Sequence, residues 1–178
     1  MSYLSFLTLE RSKKILKHVA YQNLSITDAE YGVGGWFDGV AEASGDNCGA
    51  GGFIRTRDHR CYKWFFNGGL DTYTKAELLG ACALFLLASR LSILEIHIRG
   101  DSKIIIDWLK GKGHLQVAAL KCWKDCIKEM TKHFRKITYD HIYREGNTVV
   151  DSLSKRALQQ APGKIYYYMC EEDHEGPI

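Results

Sequence analysis

No stretch of the 178-residue chain stays apolar for long enough to span a bilayer. The first residues, MSYLSFLTLERSKK, lack a basic residue before their short apolar run and so make a poor secretory signal. None of the six cysteines (Cys48, Cys61, Cys82, Cys122, Cys126 and Cys170) forms a CxxC pair. Cys82, Cys122 and Cys126 fall inside apolar helical patterns and read as free thiols of a reducing compartment. Cys122 and Cys126 have no second ligand pair at a finger-like spacing, so a zinc finger is excluded too. A strong net charge is also missing, at +3. These absences lead to the expectation of a soluble nuclear or cytoplasmic protein without a membrane partner.

What remains is ordinary for one globular domain with short appendages: 46% apolar and 25% charged residues. The charge is unevenly placed. From Lys103 to Lys136 there are nine Lys or Arg against three Asp or Glu, whereas EEDHE near the C-terminus is acidic. A polyanion-facing surface and a solvated helix face both account for that bias. Period-two patterns predict strands over Trp36–Val40, Gly49–Arg57, Arg60–Phe66, Ile93–Ile98 and Ile137–Ile142. Helical spacing predicts helices over Thr74–Leu91, Asp101–Leu109, Val117–Phe134 and Thr148–Gln160. The order is that of an α/β fold, a five-stranded mixed sheet (an antiparallel meander plus parallel strands) with helices on both faces. Residues 1–33 are expected to form a helical extension, 34–160 the domain, and 161–178 a tail, although KIYYYMC within that tail also suits an extra strand.

Four acids sit at the joints of this order, and each has a structural account. Asp38 interrupts the apolar strand WFDG, where a carboxylate is costly unless paired. Thr74-x-x-Glu77 has the form of a capping box. Asp101, in RGDS, suits a helix N-cap. Asp151 lies in a first helical turn, where the dipole favours an acid. Taken together, parallel pairing of the first and fourth strands would let all four converge. Clustered carboxylates repel unless cations lie between them. Oxygen-only ligands suit Mg²⁺ or Mn²⁺, and such clusters commonly hold two ions about 4 Å apart for displacement at phosphorus.

The set WFDG, TKAELLGA, RGDSKIIIDW and HIYREGNTVVDSLSKRA resembles the ribonuclease H family, and within it the plant-type domains of LINE-like retrotransposons. The resemblance covers roughly residues 34–160. It implies the ribonuclease H-like fold and an endonuclease that cuts the RNA strand of an RNA–DNA hybrid with two Mg²⁺ ions, Mn²⁺ substituting. By the same resemblance Asp38 bridges both ions, Asp151 helps hold the ion that activates water, and Glu77 and Asp101 hold the ion at the leaving oxygen. His141 matches the family's mobile histidine, which assists proton movement or product release. Asn147 matches the asparagine that orders its loop.

The resemblance also implies nucleic-acid contacts at Gly39, Asn47, Gly49, Thr72, Thr74, Ser102, Lys103 and Asn147. A hybrid's wide minor groove admits backbone amides and short polar side chains, although the glycines of DNCGAGGF equally suit a plain hairpin. The family often carries asparagine near Thr74 and glutamine or asparagine at Lys103, and its bacterial members insert a basic handle where this chain has only KGKGHLQ. A monomer, fused to or derived from a reverse transcriptase, is the expected setting. Two other readings stay open: a catalytically silent nucleic-acid-binding module, and a resolvase-type nuclease acting on DNA.

Overall fold

A computed structural model describes residues 8–11, 32–58, 60–69, 73–115 and 120–171. Its strands are β1 (Thr8–Arg11), β2 (Gly34–Ala41), β3 (Cys48–Arg55), β4 (Arg60–Gly69), β5 (Glu95–Gly100), β6 (Lys136–His141) and β7 (Lys164–Glu171). The helices are α1 (Tyr73–Arg90), α2 (Lys103–Leu109), α3 (Lys121–Thr131) and α4 (Thr148–Ala157), with a 3-10 turn at Arg144–Asn147 leading into α4. The strands form one sheet in the order β1-β7-β4-β3-β2-β5-β6. β2, β3 and β4 make the antiparallel meander, and β5 and β6 add in parallel on the β2 side. Among the described residues, no helix is long and apolar enough to cross a membrane.

Alternation along β2 sorts its side chains to the two faces. Trp36 stacks on Phe53 at 4.3 Å and packs with Val150 of α4. Phe37 turns the other way, into the main core with Ile54, Trp64 and the residues of α1. Phe65 joins Leu153 and Ala157 beneath α4. α1 is buried almost throughout from Ala76 to Ala88. It lies between the sheet and α3, whose Ile127 and Met130 close the core. A helix apolar on all sides is stable only when covered on all sides. Its end is a Schellman-type stop, with Ser92 at φ 58° and the Ile93 amide donating to the Ala88 carbonyl at 3.0 Å.

Two differences from the sequence reading concern the far edge of the sheet. The sheet has seven strands rather than five. The run KIYYYMC, placed in a tail but also suited to an extra strand, is that strand: β7 pairs antiparallel with β4 from Arg60↔Glu171 to Phe66↔Ile165. Within the expected N-terminal helix, residues 8–11 are instead a strand parallel to β7; the rest of that extension lies outside the described residues. A strand edge on β4 is an open row of donors and acceptors, and β7 satisfies it. The expected helix Val117–Phe134 is shorter, at Lys121–Thr131, and residues 116–119 lie outside the described ones.

Both helix layers sit closer to the sheet than side chains allow. A Cβ on Gly39 would fall 2.3 Å from the Ala76 carbonyl carbon and from the Glu77 nitrogen in α1. On the opposite face, a Cβ on Gly51 would fall 2.6 Å from the Ser154 nitrogen in α4. Backbone cannot yield as a flexible side chain can. Gly51→Ala should therefore lower stability by about 1–3 kcal/mol, read as a fall in Tm of about 2–4 °C per kcal/mol. Gly146→Ala, where a Cβ meets nothing within 4 Å, should leave Tm nearly unchanged, and equal effects of the two would refute the close-approach account.

Candidate active site

The parallel pairing of β2 with β5 ends at Phe37↔Gly100, so Asp38 and Asp101 follow each other off adjacent strands. α1 crosses this end of the sheet above Gly39 and brings in Glu77 from its second turn. One ligand oxygen from each of Asp38, Glu77 and Asp101 lies within 4.8 Å of the others. Asp38 and Glu77 are buried, and the Asp101 side chain is nearly so.

Helix capping does not explain these acids. α2 takes Ser102, not Asp101, as its N-cap. α1 already includes Tyr73, so Thr74 stands inside the helix and cannot form the capping box with Glu77. Only Asp151 keeps its proposed dipole position, in the first turn of α4.

Electrostatics mark Asp38 as the strained member. Burial, with the charge of Asp101 second to it, raises its carboxyl from 3.8 to about 6. Hydrogen bonds to Ser154 and Glu77 pull the other way, and Asp151 again raises it. Buried Asp38 Oδ1 and Asp101 Oδ1 find no hydrogen-bond donor among the described residues. Oxygens left without donors, in a set with no sulfur or imidazole ligand, fit a hard divalent cation.

Asp151 is outside the set of three whose oxygens lie within 4.8 Å of one another, although its charge acts on Asp38. Its side chain is 28% exposed, and its Oδ2 accepts from Lys155 Nζ at 2.7 Å. His141 ends β6 and donates from Nε2 to the Asp101 carbonyl at 3.0 Å. A carbonyl only accepts, so Nε2 carries the proton and Nδ1 the lone pair in the neutral ring. The His141 ring also meets Tyr143 edge-on. Arg144 Nε stands 3.9 Å from Asp101 Oδ2. Asn147 is buried at the N-cap position of α4, but its amide does not cap; Nδ2 donates to the Phe37 carbonyl at 3.2 Å. That bond ties the 3-10 turn to the strand one residue before Asp38.

The other candidates are placed as follows. Ser102 and Lys103 open α2 beside Asp101, with Lys103 Nζ 2.6 Å from Asp107 Oδ2. Thr74 is half-buried in α1, and Thr72 lies outside the described residues. Gly39 is packed beneath α1 and Gly49 beneath α4. The Asn47 amide donates to the Leu158 carbonyl at 2.9 Å, and its oxygen accepts from Asn67 Nδ2 at 2.7 Å.

A family profile described as reverse transcriptase-like matches residues 36–157. The RNase H1 of the halophilic archaeon Halobacterium salinarum is similar at 23% identity and a TM-score of 0.67, over 72% of this chain and 98% of that one. The N-terminal RNase H domain of a Mycobacterium tuberculosis protein is similar at 25% identity and a TM-score of 0.66, over 71% and 92%. The chain belongs to the ribonuclease H family. The fold of LC11-RNase H1, solved in complex with an RNA/DNA hybrid, is likewise similar, at 20% identity and a TM-score of 0.66, over 71% and 96%. No curated protein sequence matches.

Within this ribonuclease H fold, the sequence reading missed Ser154 and Tyr143. Ser154 donates to Asp38 Oδ2 at 3.0 Å, and its signal in the sequence was its place three residues after Asp151 on one helix face. Tyr143 is 78% exposed beside His141, and nothing in its residue type pointed to it.

The raised Asp38 carboxyl sets a pH dependence for the cation-free protein. Between about pH 4 and 6 the native state holds a proton that the unfolded chain releases, so this group's contribution to stability falls as pH rises through that window. The loss amounts to about 3 kcal/mol at most. Denaturant titrations across pH 4–7 in a chelator should show this decline in the wild type and a flatter profile in Asp38→Asn; identical profiles would remove Asp38 as its source.

Proposed function

We propose that the chain is a metal-dependent endonuclease that hydrolyses the RNA strand of RNA–DNA hybrids, leaving 5′-phosphate and 3′-hydroxyl ends. The observation that carries this reading is the convergence of Asp38, Glu77 and Asp101 within 4.8 Å, from β2, α1 and the residue that follows β5. A buried carboxylate raised by burial and by a neighbouring acid, as Asp38 is, suits a cation-binding role. Family membership and the hybrid-bound LC11-RNase H1 support the substrate class.

Asp38, Glu77 and Asp101 would hold Mg²⁺, with Mn²⁺ as a substitute, and Asp151 would join them toward a second ion. Bound there, such ions polarise the scissile phosphate and lower the pKa of an attacking water. The protein's own part is positional. Asn147 ties to β2 the turn that leads into the helix carrying Asp151. His141, held through Nε2, can take a proton only at Nδ1 and serves proton movement or product release. Ser102 and Lys103 at the open start of α2, with Thr72 and Thr74 before and within α1, would meet the hybrid backbone. Gly39, Gly49 and Asn47 are engaged within the fold, so contact from them runs through backbone groups. Lys121 and Lys128, exposed on α3, would supply salt-sensitive phosphate attraction.

The catalytic unit is the 34–160 segment, acting as a monomer alone or beside a reverse transcriptase. β7 belongs in any expressed form, since it closes the β4 edge.

The test is cleavage of an end-labelled hybrid with Mg²⁺. The wild type should cut the RNA strand, Asp38→Asn should lose at least about 10³-fold in rate, and His141→Ala should slow turnover by about 10–100-fold without abolishing it. Tight hybrid binding without cleavage would establish the silent binding module instead. Preference for branched or duplex DNA would establish the resolvase reading.

A further inference from the structure

Ser154 lies on the sheet-facing side of α4 and is fully removed from solvent. Its hydroxyl donates to Asp38 Oδ2 at 3.0 Å and lies 2.9 Å from the Asp151 carbonyl. A hydroxyl has one proton to give. An ionised carboxylate outcompetes a helical carbonyl that already accepts a backbone bond, because charge-assisted bonds are the stronger ones. The contact depends on Gly51, which pairs with Asp38 across β2 and β3 and leaves no Cβ to lift α4 away.

A carboxylate turns easily about its terminal torsion. Mg²⁺ tolerates little departure from octahedral geometry, so that freedom costs affinity. We propose that Ser154 is a positioning residue for the acidic centre: its hydroxyl anchors Asp38 Oδ2 to α4 and so presents the carboxylate to Glu77 and Asp101 in one orientation. Asp38 Oδ1 meanwhile has no donor among the described residues. This assignment rests on the cation-dependent reading above. It gives a buried hydroxyl on the last helix a role that its other bond does not explain, because Ser152 makes the same backbone contact, to Val149 at 2.9 Å, on the exposed side of α4.

The experiment is a thermal scan of the full chain against Mg²⁺ alone, for wild type, Ser154→Ala and Ser152→Ala. Ser154→Ala removes one oxygen from a helix, and its melting temperature without Mg²⁺ checks folding in the same scan. The Mg²⁺ concentration for half-maximal stabilisation should rise by about 10-fold or more in Ser154→Ala and stay at the wild-type value in Ser152→Ala. In hybrid cleavage, the Mg²⁺ needed for half-maximal rate should rise by the same factor, with KM for the hybrid unchanged. A wild-type Mg²⁺ midpoint in Ser154→Ala overturns the assignment while leaving the cation reading intact. A wild type that Mg²⁺ does not stabilise at all overturns the cation reading, and this assignment with it.

Discussion

Three carboxylates buried within 4.8 Å of one another are the constraint on which the rest of this fold turns. Burial first and the Asp101 charge second raise the Asp38 carboxyl to about 6. The chain meets the conflict only in part, through a hydrogen bond from Ser154 to Asp38 Oδ2. The residual cost is carried by a core that can bear it: Phe37, Ile54, Trp64 and the fully covered α1 lie directly behind the acids. A small or loosely packed domain could not keep such a cluster folded without its ions.

The convergence comes from close backbone approach more than from acid placement. Gly39 lets α1 descend until Glu77 reaches Asp38, and Gly51 lets α4 descend until Ser154 does. Both glycines border the same aspartate, one next to it in β2 and one across from it in β3. Asn147 completes the frame by bonding the Phe37 carbonyl, so three separate elements are referenced to two consecutive residues of one strand. Errors in the packing of either helix therefore translate directly into the carboxylate geometry.

Much of this was legible because it follows local rules. The period-two runs over 36–40, 49–57 and 60–66 gave the meander, and the parallel placement of the fourth strand brought Asp38 and Asp101 together as expected. The outer strands were legible only in part. KIYYYMC suited an extra strand, as it proved to be, but its three successive tyrosines show no polar-apolar alternation that would name a partner, and that partner is β4, about a hundred residues earlier. The capping accounts of Glu77 and Asp101 failed for a related reason: the pattern Thr-x-x-Glu is local, whereas the start of α1 at Tyr73 is set by docking over Gly39. Ser154 was invisible because a serine in a helix identifies no partner until the sheet beneath it is known.

The position of Asp151 completes the electrostatic picture. Its Oδ2 pairs with Lys155 while its charge still reaches Asp38, and it is the one of the four with substantial exposure. A solvent-exposed i,i+4 pair contributes only about 0.3–0.5 kcal/mol, so little opposes its exchange for a stronger countercharge. The centre is thus built in two parts of unequal stiffness: a buried set held by strand pairing, α1 and Ser154, and an outer acid on a helix turn whose side chain is free to re-pair. Placing the adaptable acid at the solvent side is the arrangement physical chemistry favours, since turning an exposed carboxylate costs little desolvation, whereas a buried one would have to be repacked with its neighbours.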